Sequence, residues 1–124
     1  MSKFVKISTE LRDLNMIKRS LADLQLDYTE NQRFVHHWSG YDAVTPLVVK
    51  SRNAHFGLRA ADDGVYEVIG DDMQMKQLRA TLDQIQQRYA YHKVLAEVEQ
   101  AGFSLVEEKT GADNVIRLTV RRWN

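Results

Sequence analysis

The chain has 124 residues, of which 44% are hydrophobic and 27% are charged, with 17 Lys and Arg, 17 Asp and Glu and no Cys. This size and composition predict one compact soluble domain rather than a disordered, collagen-like or disulfide-stapled chain. The absence of Cys excludes thiol catalysis and thiolate metal sites, and the zero formal net charge provides no overall field that would attract nucleic acid.

The N-terminal part of the chain predicts a short strand followed by an amphipathic helix. Residues 4–7 form a β-prone run, and the apolar residues of the next stretch recur at spacings of three and four. These apolar residues are Leu14, Ile17, Leu21 and Leu24. Asp13 is the expected N-cap, because its carboxylate can accept a hydrogen bond from the first-turn backbone N–H groups, and we expect the helix to end near Leu26.

Between residues 33 and 69 the hydrophobic pattern changes to a period of two, which predicts strands. The strand candidates are residues 33–38, 47–51, 55–59 and 65–69. The turn-rich pieces between them are residues 39–42, 51–53 and 62–64. The Asp-Gly pair at positions 63 and 64 is the strongest hairpin signal, and Pro46 is expected at the start of its strand, where a missing N–H matters least.

The C-terminal half predicts a long helix and a final hairpin. Asp71 and Gln74 match the spacing of a capping box and open a helical stretch to Ala101, which Gly102 is expected to terminate. Residues 103–108 and 115–123 form the two strands of the hairpin. The predicted order is β-α-β-β-β-β-α-β-β, which favours a single α+β domain over residues 1–124, built as a two-layer sandwich of a mostly antiparallel sheet and two main helices.

Several pieces of the sequence together resemble a known family. They are residues 2–4 with 11–24, residues 56–59 with Tyr66 and Glu67, the Gln-Arg-Tyr-Ala-Tyr-His block at 87–92, residues 100–103, and residues 116–118 with 121–123. Taken together, they resemble the hypothetical chloroplast reading frame thirty-five family of algal plastids and cyanobacteria, a domain of unknown function. The resemblance implies a small soluble protein, and it carries over no activity, cofactor or catalytic residue. His36 and His37 lie outside the pattern of the family.

The histidines raise the question of a metal site or a catalytic centre. His36 and His37 are adjacent on a predicted strand and therefore point to opposite faces, so they cannot both bind one ion without distortion. His55 could meet one of them across the sheet, with Asp71 or Asp72 as an oxygen donor. There is no His-Glu-x-x-His pair, Gly-x-Ser-x-Gly elbow or glycine-rich phosphate loop. We therefore predict no bound metal, no cofactor and no catalytic residues.

Tyr89 and His92 lie three positions apart on the long predicted helix and share a face. Tyrosines on an apolar helical seam usually pack by their rings and direct the hydroxyl to a backbone partner, so we expect Tyr89, together with Leu95, to belong to the core. The alternative is a pocket for a ligand or partner that Tyr89 and His92 line.

The last predicted strand segregates its side chains. Burial of Ile116, Leu118 and Val120 would place Arg117, Arg121 and Trp123 outward together on the other face. This face is either simply solvated or a docking surface for an acidic partner, because Trp and Arg often dominate binding energy at interfaces.

These observations favour a non-catalytic binding or adaptor domain that docks another protein. An RNA-binding module is the alternative, because exposed Arg and aromatic side chains on an antiparallel sheet can hold RNA. An enzyme with histidine-based chemistry is a weaker alternative. With no apolar signal core and no membrane-spanning run, the expected location is the cytoplasm, or the plastid stroma if the protein is plastid-encoded. The sequence does not predict an oligomeric state.

Overall fold

The computed structural model describes residues 2–122. In chain order the elements are β1 (Phe4–Ser8), α1 (Leu14–Asp23), β2 (Asp27–His36), β3 (Tyr41–Lys50), β4 (His55–Ala60), β5 (Tyr66–Asp71), a 3₁₀ turn (Asp72–Gln74), α2 (Met75–Gln100), β6 (Phe103–Thr110) and β7 (Ile116–Arg122). This order confirms the predicted α+β class and the predicted sequence of strands and helices.

The strands divide between two antiparallel sheets, whereas the sequence analysis expected one. The first sheet has five strands in the order β1-β5-β4-β3-β2, and the second is the β6-β7 hairpin. The chain forms two compact units, Met1–Tyr89 and Ala90–Asn124, so α2 contributes to both. That the whole chain is a single domain stays a prediction.

Helix α1 begins as predicted and ends earlier than predicted. The Asp13 side chain accepts a hydrogen bond from the Met16 N–H at 3.1 Å, which confirms it as the N-cap. The expected end near Leu26 is wrong, because Gln25 adopts φ +57° and cannot continue a right-handed helix. The Leu26 N–H instead bonds back to the Leu21 carbonyl at 2.9 Å and closes the last turn.

One face of the five-stranded sheet carries the main core together with α1 and α2. The residues of this core include Ile17, Leu21, Leu47, Phe56, Leu58, Val68, Leu78, Leu82, Ile85 and Tyr89. Gly70 allows the start of α2 to approach β5 closely, because a Cβ at Gly70 would lie 2.9 Å from Leu78 Cδ1. The helices therefore cover this face and leave the opposite face to other elements.

Strands β2 and β3 are longer than predicted. The sequence analysis began β2 at residue 33 and β3 at residue 47, but β2 pairs with β3 from Asp27 to His36. Residues 27–32 carry few apolar side chains because this end of β2 is an exposed sheet edge, so the alternation that marks a strand is missing there. Pro46 consequently lies inside β3 rather than at its start. It faces Asn31, which has φ +52°, and this pair is skipped in the ladder because Pro has no N–H to donate.

The far end of the β2-β3 hairpin covers the second face of the sheet. Tyr41 stacks on Phe4 of β1, with ring centroids 4.8 Å apart, although β3 and β1 are three places apart in the sheet order. Phe34, Val48 and Ile69 are buried in a small core beneath this crossing. Because β1 and β3 make this contact across the sheet, the hairpin end must bend over it, and it brings His36 to β5.

The predicted capping box at the start of the long helical stretch forms only in part. The Asp71 carboxylate accepts a hydrogen bond from the Met73 N–H at 2.8 Å and caps the 3₁₀ turn that leads into α2. The side chain of Gln74 turns away from this cap, and its Oε1 accepts a hydrogen bond from the His55 N–H at 3.0 Å. At the other end, α2 stops at Gln100 and Gly102 has φ +88°, which confirms the predicted stop.

The second unit contains the end of α2 and the β6-β7 hairpin. Val106 is the extra residue of a β-bulge, since the register shifts between Leu105 and Glu107. Leu95 is only partly buried here, so its expected place in the core is wrong. Within the part of the chain that the structure describes, no helix is long and apolar enough to cross a membrane.

Candidate functional site

An open cleft with a volume of about 540 Å³ lies in the first unit, where the end of β2 meets β5 and the 3₁₀ turn. Its walls come from four separate pieces of chain: the N-terminal segment, the end of β2 with the following turn, the start of β4, and the end of β5. We call it the His36 cleft, and its principal lining residues are His36, His37, Trp38, His55, Asp71 and Met73.

His36 is held by both nitrogens of its ring. Nε2 lies 2.9 Å from Asp71 Oδ2, and Nδ1 accepts a hydrogen bond from the backbone N–H of Ser39 at 3.2 Å. The Ser39 hydroxyl also lies 2.8 Å from Nδ1. His36 is 6% exposed, and both nitrogens of its ring have hydrogen-bonding partners within the chain.

Asp71 links three pieces of the chain. Burial by itself would raise the pKa of Asp71. The hydrogen bonds that its carboxylate accepts from the Met73 N–H, the Ser2 side chain and His36 outweigh burial and hold this pKa below its usual range. The carboxylate is therefore ionised at neutral pH, and 28% of the side chain remains exposed in the cleft.

The other two histidines occupy the outer part of the cleft. The His55 ring packs against Phe34 with centroids 5.2 Å apart, and the pKa of His55 is lowered by burial and then by the nearby charge of Lys50. His37, the first residue after β2, is exposed, whereas its neighbour His36 is buried. Among residues 2–122, no three histidine or carboxylate side chains converge in an arrangement that could hold a metal ion.

Two large apolar side chains project at the rim of the cleft. Trp38 is 70% exposed and Met73 is 77% exposed. Sequence analysis missed both as site residues, because Trp38 was assigned to the end of a strand and Met73 to the first turn of a helix. The sequence feature that could have identified them is a bulky apolar residue beside turn residues, because residues in turns are not expected to be buried. The cleft thus combines a hydrogen-bonded floor with an apolar rim, which is an arrangement suited to binding.

The structure places Tyr89 in the core of the first unit and His92 in the second unit. Tyr89 is 8% exposed, and its hydroxyl accepts hydrogen bonds from the backbone N–H groups of Arg12 and Asp13 at 3.1 and 3.0 Å. His92 lies beside the ring of Tyr91, with centroids 5.1 Å apart. The contacts of Tyr89 are those expected of a core tyrosine. The proposed pocket of Tyr89 and His92 stays an untested alternative.

The outward face of β7 is exposed as the alternation requires, but its charge is partly neutralised. Arg117 Nη2 lies 3.0 Å from Asp113 Oδ2, and this ion pair, followed by the Val115 N–H, lowers the pKa of Asp113. Arg121, four residues further along β7, is exposed on the same face. Trp123, the third residue predicted for this surface, lies outside the described residues. On the opposite face, the expected burial of Val120 is wrong, since it is 37% exposed.

Comparison with known proteins finds similarity to proteins of unknown function. A family model described as "Protein of unknown function (DUF1257)" matches residues 20–119. The "Uncharacterized protein ycf35" of Pyropia yezoensis is 31% identical over 128 residues, covering 100% of this chain and 99% of the relative. Its namesakes in Guillardia theta and Cyanophora paradoxa are 30% and 26% identical, each over 99% of this chain and 98% of the relative.

No solved structure matches the chain significantly. The relatives confirm the resemblance to the hypothetical chloroplast reading frame thirty-five family, and they span the whole chain rather than one motif. The chain therefore belongs to the ycf35 family, matched by the DUF1257 family model, whose function is unknown.

Proposed function

We propose that this protein is a non-catalytic binding domain that docks a partner protein in the His36 cleft. The observation that carries this proposal is the contrast between the floor and the rim. The polar groups of the floor are hydrogen-bonded within the chain, whereas the rim exposes Trp38 and Met73 to solvent. Trp is enriched among the residues that dominate binding energy, and Met is enriched at protein interfaces.

The occupied floor supports binding rather than catalysis. Hydrogen bonds from a histidine to an Asp and a Ser do not by themselves exclude catalysis, because a Ser-His-Asp triad has the same partners. In this cleft, however, the Ser39 hydroxyl donates to the His36 carbonyl oxygen at 3.2 Å, so it is held within its own turn rather than offered to a substrate. The Ser39 hydroxyl also bonds to its own turn, where it accepts from the Tyr41 N–H at 3.2 Å.

RNA binding is the alternative function. The surface that would serve it is the outward face of β7 with Arg117 and Arg121, which we call the arginine face. Phosphate contacts require basic side chains that are free to neutralise the backbone. Arg117 is engaged by Asp113, which leaves Arg121 as the better placed cation of this face. We therefore rank a protein partner above RNA, in the cytoplasm or the plastid stroma.

The proposal is tested by affinity capture from a lysate of the native host, using the parent and a Trp38→Ala variant. Val44→Ser is the matched control, because Val44 is 68% exposed on the same hairpin but does not line the cleft. We expect Trp38→Ala to lose the captured protein, and Val44→Ser and nuclease treatment to leave it bound. Retention of every partner by Trp38→Ala would overturn the proposal.

A further inference from the structure

We propose that the His36 cleft recognises an arginine side chain of the partner, with the guanidinium facing Asp71 and lying against the ring of Trp38. This inference rests on the proposed function and specifies the chemistry of the docked segment. The charge of the cleft, the aromatic character of its walls and the free acceptor capacity of its carboxylate each point to a planar cation.

The cleft carries an ionised carboxylate at neutral pH. The described residues that line it include one ionised carboxylate, Asp71, and no Lys or Arg. The lowered pKa of His55 favours the neutral form of that ring. Lys50 is close enough to affect His55 but does not line the cleft. A cationic side chain therefore meets a complementary charge here.

The walls of the cleft are rich in aromatic rings. Trp38 and Phe34 line it together with the imidazole rings. A cation over the face of a Trp ring is attracted by the electron density of the ring, and guanidinium also stacks on it through its flat surface. An ammonium group has no such surface, so the walls favour arginine over lysine.

Among the described residues, three donors use the Asp71 carboxylate: the Met73 N–H, the Ser2 side chain and His36. A carboxylate has about four acceptor sites, so these three donors leave room for one more. Its exposed 28% opens toward solvent. A guanidinium at this edge would gain a charge-assisted hydrogen bond without displacing the bonds that hold the cleft together.

The test uses the full chain, isotopically labelled, and two peptides that differ only in the terminal group of one side chain. Acetyl-Gly-Arg-Gly-amide is the probe, and the same peptide with citrulline is the control, because citrulline has nearly the same shape without the charge. Binding is followed through the indole N–H signal of Trp38, which is identified by its absence from a Trp38→Phe variant. We expect saturable binding of the arginine peptide and about tenfold weaker binding of the citrulline peptide.

Two carboxylate variants test whether Asp71 provides the negative charge that attracts the arginine peptide. Asp71→Asn should weaken the arginine peptide about tenfold, whereas Asp72→Asn should leave its affinity unchanged, because Asp72 is adjacent but does not line the cleft. The dispersion of the same spectra shows that each variant is folded. If Asp71→Asn is unfolded, the citrulline comparison in the parent decides the matter.

The outcomes separate this inference from the proposed function. Equal binding of the two peptides, or binding of neither, would overturn the arginine proposal. The protein-docking function would still stand in that case if Trp38→Ala lost its captured partner. If Trp38→Ala kept every partner while the arginine peptide bound, the cleft would recognise arginine but would not be the docking site for that partner.

Discussion

The His36 cleft and the arginine face of β7 are held in place by different kinds of contact. The cleft is assembled from residues far apart in sequence, and the bond between His36 and Asp71 joins positions 35 residues apart. The arginine face is local, since its ion pair joins Arg117 to Asp113, four residues away in the same hairpin. A hydrogen-bonded network around the buried His36 fixes the first surface, whereas the described residues of the second surface, Arg117 and Arg121, are exposed.

This difference teaches which surface is the better docking site. A partner is bound best where the contact groups are already held in place, because less conformational freedom is lost on association. The floor of the His36 cleft meets this condition, and the long exposed side chains of β7 do not. The predictions below test the support of each surface, beginning with the change that should cost the most stability.

Replacement of Tyr89 tests the core of the first unit, on which the cleft depends. Tyr89→Ala removes a buried ring, so we expect the free energy of unfolding to fall by about 3–5 kcal/mol in chemical denaturation. Tyr89→Phe keeps the ring and loses only the hydroxyl acceptor, so it should cost about 1–2 kcal/mol. Full stability of Tyr89→Ala, with loss of a binding activity alone, would favour the alternative pocket at Tyr89 and His92.

Replacement of His36 tests the buried network directly. His36→Ala removes a buried ring whose centroid lies 5.6 Å from that of the Phe4 ring. It also removes one of the hydrogen-bonding partners of Asp71. We expect a loss of about 2–4 kcal/mol in the free energy of unfolding. His37→Ala is the matched control and should change stability by about 0.5 kcal/mol or less, because His37 is exposed. Equal effects of the two variants would contradict the proposed support of the cleft.

The pH dependence of stability should reveal the role of Asp71. Folding lowers the pKa of this carboxyl below its ordinary value of 3.8, so its ionised form stabilises the fold. This contribution is complete above the ordinary pKa and disappears as the pH falls through the lower folded value. The stability difference between the parent and Asp71→Asn should therefore shrink below pH 3.8, in denaturation curves recorded at several pH values. A difference that stayed constant down to the lowest pH would show that the charge of Asp71 does not stabilise the fold.

Charge reversal on β7 should have the smallest effect on stability. Arg117→Glu combined with Arg121→Glu changes exposed residues, and such substitutions usually shift the free energy of unfolding by about 0.5 kcal/mol or less each. We expect the double variant to keep the partner that the cleft binds. Loss of that partner, with stability intact, would transfer the docking function to the arginine face. Steep loss of binding between about 50 and 200 mM salt would then indicate nucleic acid.

Much of the fold could be predicted because its signals are local. Asp13 lies three residues before the N–H that it caps, and the Asp-Gly pair at positions 63 and 64 lies in the turn between β4 and β5. Apolar runs bounded by turn residues likewise indicate β4 and β5, and each of these strands has three consecutive buried residues. The order of strands and helices follows from such short-range patterns.

The features that were not predicted from the sequence depend on contacts between residues far apart in the chain. The edge of β2 carries polar residues and has no alternation, and Pro46 was expected at the start of a strand because its place opposite Asn31 could not be foreseen. The bend of the β2-β3 hairpin over the sheet brings His36 to Asp71. The sequence analysis had considered Asp71 as a partner for the histidines, but only as a metal ligand. The rim residues Trp38 and Met73 were missed for the same reason.

Site-specific photo-cross-linking tests the central claim most directly. A benzoylphenylalanine replaces either Trp38 in the cleft or Arg121 on β7, and each labelled protein is irradiated in native lysate. Our account predicts that the same partner protein is cross-linked from position 38 and not from position 121. Cross-linking of the partner from position 121 alone would contradict it.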